Sequence, residues 1–350
     1  MIKFFRRIRK RLLTENKFSK YLLYAIGEIV LVVIGILIAL QFNNRNEQRK
    51  NLEVLTEAIK AMEDELAYNF NDANKILDFY KIQDKICKQV LFDELTIEDY
   101  RAKDLISIVS ANWDVILPKI ENSAIVLENE KYATKKLGPI INAVKQLEAN
   151  KNLVDQQWKS LYANIEENIK KITFEASLIR LDSTSKENRF QYMLTNEDYK
   201  KIIEMYWINI QLYSDQVSKY RAQNIAVLST IKIIQENYDK EKLERLYKGI
   251  RMNPFTPLDC SISNKSITKN NELRRGYLIG NLSDEAIKLN MINDGKIGGF
   301  YILKPNEFRN TRTEYAGLGG DYTVIAEQVD SAEKCLQKFV ATNKGYLIIE

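Results

Sequence analysis

The chain has 350 residues, 52 Lys and Arg against 47 Asp and Glu, a net charge of +5 and no histidine. Lacking histidine, it lacks both the commonest general base and the commonest metal ligand. Its three cysteines, Cys87, Cys260 and Cys335, form no CxxC pair for zinc or thioredoxin-type chemistry. No catalytic residue, cofactor or metal site is therefore expected, and the sequence carries no GxSxG, HExxH or P-loop motif.

The segment Met1 to Lys20 holds eight Lys and Arg (Lys3, Arg6, Arg7, Arg9, Lys10, Arg11, Lys17, Lys20) against Glu15, so it carries +7 and the rest of the chain −2. The basic balance thus belongs to a short N-terminal tail. The remainder has no electrostatic footprint for nucleic acid. Residues 21–42 follow as a 22-residue apolar run broken by Glu28 and Gln41. A spanning helix needs roughly 20 apolar residues. The run is too long for the h-region of a cleaved signal peptide and ends without a small-x-small site. An uncleaved transmembrane anchor is expected, with the bilayer as its first partner.

Residues 41–50 carry Arg45, Arg49 and Lys50 with Glu47 among them, fewer cations than the tail. The positive-inside rule then predicts a cytoplasmic N-terminus and a chain that is extracytoplasmic beyond about residue 43. Within the span, Glu28, Val32, Gly35 and Ala39 follow i, i+4, i+7, i+11 spacing and share one helix face. Gly35-x-x-x-Ala39 is a small-xxx-small pattern that lets two backbones approach. Two readings of Glu28 stay open. It snorkels toward the cytoplasmic headgroups, or it hydrogen-bonds in a helix–helix interface with a second copy or a membrane-protein partner.

From Leu52 an apolar seam continues at heptad spacing through Leu55, Ile59, Met62, Leu66, Asn69, Ala73, Ile76, Tyr80, Gln83 and Cys87. It predicts a long helix packed either on a second copy or, since long helices follow, inside its own bundle. Thr96 and Thr195 each precede an acid by three residues and are expected to cap helices over 97–111 and 196–236. A helix over 120–150 is expected to break at Leu137-Gly138-Pro139, with another over 152–180. The aromatics Tyr199, Tyr206, Trp207, Tyr213 and Tyr220 read as core packing rather than a ligand stripe. The acidic runs Glu63-Asp64-Glu65 and Glu166-Glu167 read as solvated helix faces.

Residues 1–248 contain three glycines and residues 249–350 the other ten, so helix gives way to turn-rich structure near Gly249. Strands are expected at 277–279, 300–303, 322–327 and 346–349. Helices are expected at 284–291 after Ser283 and at 331–341, where Asp330 and Glu333 have capping-box spacing. Gly298-Gly299 and Gly317–Asp321 read as tight turns before strands. Buried free thiols are expected, with Cys260–Cys335 the pair to watch for a disulfide.

The expected organisation is a basic cytoplasmic tail (1–20), a transmembrane helix (21–42), a helical bundle ectodomain (43–248) and a small α+β region (249–350). The fold class is mainly α. The blocks MIKFFRRIR and ENKFSKYLLYAIGEIVLVVIGILIALQFNN, with Gly27-Glu28 in the span and Asn43-Asn44 at its exit, resemble the opening of a family of single-pass membrane proteins of the Bacteroidota known only as a domain of unknown function. Arg45 stands where that family often has Trp. The resemblance runs from Met1 to about Lys50 and implies an inner-membrane protein facing the periplasm. It implies no activity.

Function is expected to be non-catalytic: periplasmic binding, sensing or envelope scaffolding through partner proteins, because a cytoplasmic tail from Met1 to Lys20 is too short for an output domain. The alternatives are an anchored enzyme using carboxylate, Lys or Tyr chemistry and an accessory subunit of a transporter.

Overall fold

The computed structural model describes residues 18–92, 95–103, 108, 120–172, 190–259, 277–293, 296–311, 323–328, 335–340 and 345–350. It is mostly helical, with a long apolar N-terminal helix and small C-terminal strands. Contacts divide the chain into two compact units, Met1–Glu57 and Ala58–Glu350.

Helix α1 (Phe18–Phe92) is 75 residues long, and no Pro interrupts it. Of the heptad seam, every residue from Ile59 to Cys87 is buried, including the polar Asn69 and Gln83. Each Leu, Ile or Met so buried contributes roughly 1.5–3 kcal/mol. The partners lie in the same chain: Tyr80 meets Tyr213 edge-on with centroids 5.4 Å apart, and Lys232 pairs with Glu63 at 2.6 Å.

α2 (Ile97–Lys103) starts where the sequence predicts. The Thr96 hydroxyl accepts from the Asp99 N–H at 3.3 Å, and the Thr96 N–H donates to the Asp99 carboxylate at 3.0 Å. The rest of the expected 97–111 helix, apart from Ile108, lies outside the described residues. α3 (Glu121–Glu128) has no side-chain cap of its own. The carboxylate of Glu65, expected to be solvated, is instead buried. It accepts from the Asn122 N–H at 2.8 Å and the Ser123 hydroxyl at 3.0 Å. Glu65 therefore caps a helix distant in sequence, and its charge sits at the favourable end of the α3 dipole.

Two corrections concern helix boundaries. Gly138-Pro139 does not break a helix; it begins α4 (Gly138–Lys170), with Pro in the first turn where its missing N–H costs nothing. α4 runs unbroken through the expected boundary near residue 151. α5 (Glu197–Glu236) matches expectation, but its cap is Asn196, whose Oδ1 accepts from the Tyr199 N–H at 2.9 Å. Thr195 donates back to the Gln191 carbonyl instead. α5 ends on Asn237 at φ 52°, in the left-handed region that asparagine tolerates. α6 (Lys240–Gly249) is capped by Asp239.

Beyond Gly249 the described residues are strands and loops, so the expected α+β tail is β in these parts. β1 (Asn253–Pro254), β9 (Gly345–Ile349), β3 (Tyr277–Asn281) and β6 (Phe308–Thr311) form one sheet in that order. β2 (Thr256–Leu258), β8 (Cys335–Val340), β7 (Thr323–Gln328), β4 (Ile287–Asn293) and β5 (Lys296–Leu303) form the other, antiparallel throughout. Ile279, Leu347 and Ile349 of the first sheet share a core with Ile287, Leu289, Leu303 and Phe339 of the second.

The expected helix at 284–291 is overturned by β4. Ser283 does not cap a helix. Its N–H and hydroxyl both donate to the Asn281 carboxamide oxygen, at 3.0 and 2.7 Å. Ile287, Leu289 and Met291 alternate at the strand period. β8 likewise replaces most of the helix expected at 331–341, paired with β2 on one side and β7 on the other. Gly298 and Gly299 lie inside β5 rather than in a turn: Gly299 pairs with Met291 and Ile297 with Ile292, which leaves Gly298 as the extra residue of a bulge in β5, as glycine in a strand interior often is. Gly317–Asp321 and Cys260 lie outside the described residues, so the Cys260–Cys335 pairing does too. Cys87 is a free, buried thiol.

Gly280 in β3 is required by close approach. A Cβ built there would stand 2.2 Å from Cε1 of the buried Phe308 ring. Gly280→Ala is expected to lower stability by about 1–3 kcal/mol, the usual cost of overpacking. Denaturant unfolding of the two proteins checks this; equal midpoints would contradict the packing described.

Candidate functional site

The first surface to consider is the apolar half of α1. An 18-residue window there has a mean hydropathy of 2.5 and none of it is buried. Leu31, Leu37 and Phe42 are 72, 58 and 76% exposed. Such a helix is long and apolar enough to cross a membrane, and it suggests a membrane anchor. Glu28, Val32, Gly35 and Ala39 do lie on this one helix, spread over roughly 16 Å at 1.5 Å per residue. Val32, Gly35 and Ala39 are exposed and Glu28 is half-buried. A Cβ added at Gly35 would meet no atom of the described residues within 4 Å.

A second feature lies within Ala58–Glu350. Pro139, Asn142, Ala143 and Gln146 on the first turns of α4, Thr230 of α5, and the turn Lys304–Phe308 line a cleft of about 350 Å³. Ligand sites in proteins start at about this size. The turn is rigidly held. The Glu307 N–H donates to the Lys304 carbonyl at 3.1 Å, and Asn306 N–H and Asn281 carbonyl meet at 2.7 Å. The Asn281 N–H returns a bond to the Glu307 carbonyl at 3.0 Å. Pro305 fixes the first central position, and Asn306 takes the second at φ 58°, the pattern of a type II turn. Asn281 itself is fully buried, donating from its carboxamide to the Glu285 and Leu303 carbonyls.

A third feature is the polar layer inside the helices. Asp84, buried on α1, accepts from the Trp207 indole N–H at 2.7 Å and from the Gln211 carboxamide, and pairs with Lys88 at 2.8 Å. Nearby, Asn69 and Asp72 of α1, Asp155 and Trp158 of α4, and Tyr213 and Tyr220 of α5 surround about 30 Å³ of space, room for about one water. Asp72 is only 6% exposed, and its Oδ1 has no hydrogen-bond partner among the described residues. Burial raises its pKa, and the attraction of Lys75 only partly opposes that.

The aromatic positions on α5 are core. Tyr199, Tyr206, Tyr213 and Tyr220 are all at most 4% exposed, and burial pushes each phenol well above its ordinary pKa. Trp207 is half-buried and hydrogen-bonded to Asp84. Among the described residues no three His, Cys, Asp or Glu side chains are grouped to hold a metal ion.

No family model, curated protein or solved structure matches this chain. The cleft was not foreseen from sequence. Lys304-Pro305-Asn306 is a legible turn signal, but nothing local places it against Asn142, far earlier in the chain. Asp72 carries no signal either, since it falls between two seam residues, Asn69 and Ala73, like any solvated acid.

Because burial raises the folded-state pKa of Asp72 above its unfolded value, the folded state holds the proton more tightly. Stability from this group falls as pH rises from the unfolded carboxylate range through the raised folded pKa. Asp72→Asn is expected to unfold at a higher temperature than the native chain at pH 8, with the difference shrinking toward pH 4. Thermal melts across that range check the sign; a variant less stable at pH 8 would contradict it.

Proposed function

We propose that this chain is a non-catalytic binding protein anchored in the bacterial cytoplasmic membrane, holding a helical bundle and its strand region in the periplasm and acting through partner proteins. The observation that carries the reading is the wholly exposed apolar surface of α1, which water does not tolerate and a bilayer does. The direction rests on charge. Eight Lys and Arg precede the span and three follow within residues 41–50, an asymmetry that favours a cytoplasmic N-terminus. The resemblance of the N-terminal stretch to single-pass proteins of the Bacteroidota supports the same membrane and the same side.

Binding is preferred over passive scaffolding because the chain builds a cleft of ligand size on a pinned turn. The Glu28–Ala39 face is where this reading puts a membrane partner or a second copy. A carboxyl in that setting is stabilised by a hydrogen bond across the interface, and Gly35 and Ala39 allow the close approach.

Direction is testable in spheroplasts. Protease added outside is expected to destroy an epitope fused after Glu350 and spare one fused before Met1. The reverse pattern, or protection of both, would overturn the periplasmic reading.

A further inference from the structure

We propose that the cleft between α4, α5 and the Lys304–Phe308 turn binds a short peptide with free termini, an inference that rests on the binding reading above. Its lining carries one cation and one anion, Lys304 and Glu307, together with three carboxamides, Asn142, Gln146 and Asn306. Paired opposite charges suit a zwitterion rather than a polyanion or a polycation. A carboxamide offers both a donor and an acceptor, the complement of a peptide group.

These groups are largely uncommitted. Among the described residues the side chains of Asn142, Gln146, Lys304 and Asn306 enter no hydrogen bond or ion pair. Glu307 accepts the Lys304 N–H on Oε2 at 2.9 Å, which leaves Oε1 for a ligand ammonium. Thr230 donates its hydroxyl to the Ala226 carbonyl and keeps acceptor capacity. The Lys304 ammonium takes the ligand carboxylate.

Two further observations narrow the class. The turn is fixed before any ligand arrives, by the three backbone bonds that join it to itself and to Asn281, so little ordering cost falls on binding. The aromatic ring in the lining, Phe308, is 4% exposed and packed on Gly280. It presents no open face for stacking, which counts against a saccharide.

The test uses the full chain in detergent micelles, with binding followed by calorimetry. The probes are alanyl-alanine, its N-acetylated and C-amidated form, and N-acetylglucosamine. Alanyl-alanine is expected to bind and the other two not. Lys304→Met and Glu307→Gln are each expected to weaken it about tenfold or more, as loss of a charge-assisted bond does. Both variants keep the backbone bonds of the turn, and unchanged unfolding midpoints confirm that they fold. No binding of alanyl-alanine, or equal binding by both variants and the native chain, overturns the proposal. Binding of N-acetylglucosamine instead overturns the peptide class but leaves the binding reading intact, whereas the spheroplast result bears on the anchored, periplasm-facing reading alone.

Discussion

The exposed apolar surface of α1 between Ala25 and Phe42 is the constraint that the rest of the molecule answers to. Thirteen Leu, Ile and Val residues between Leu22 and Leu40 favour insertion by about 4–8 kcal/mol on biological insertion scales. Glu28 opposes this by roughly 2.5–3.5 kcal/mol at most. The balance favours lipid even with a carboxylate in the span. A water-soluble chain would have to cover that surface, and none of the window is covered within the structure.

The same helix changes character along its length. From Ile59 the apolar residues narrow to a seam that is buried against the chain's own helices, and buried polar groups fix how they meet. Asp84 reaches Trp207 and Gln211 across the helix contact. Glu65 satisfies the start of α3, and Arg221, almost fully buried, donates to Asn74 at 3.2 Å. Breaking one partner of such a pair strands a charge in the interior, so these contacts favour one arrangement over its neighbours. The strand region answers a different need. Its two sheets bury their alternating residues against each other, and Tyr346, outside that shared core, packs on Tyr247 of α6 at 4.7 Å. The Tyr247 hydroxyl in turn bonds Ser229 of α5 at 2.7 Å.

Much of this was legible where one physical signal acted alone. The apolar run and the heptad seam each persist over many residues, and nothing local competes with them. The reading failed where two local signals conflicted. Ser283 looks like a helix cap, yet Asn281 captures it in a tight turn, and the strand alternation of Ile287, Leu289 and Met291 prevails. Gly298-Gly299 looks like a turn, yet β5 runs through both, with Gly299 paired to Met291 of β4 and Gly298 taken up as a bulge. Glu65 reads as one acid in a solvated run because its partner, the start of α3, is distant in sequence. The cleft was invisible for the same reason. Its polar groups come from α4, α5 and a β-turn, and only the folded chain brings them together.

In the function proposed, anchoring and recognition rest on different parts of one chain: an exposed apolar helix surface, and a pinned turn that lines a cleft with the start of α4. The measurement that tests the anchor most directly is extraction of native membranes with alkaline carbonate, which strips peripheral proteins and leaves spanning ones. The chain is expected to stay with the membrane pellet, and a variant with Ile29, Leu31, Val33 and Leu37 replaced by Asn is expected to leave it. Release of the native chain into the carbonate supernatant would contradict the account.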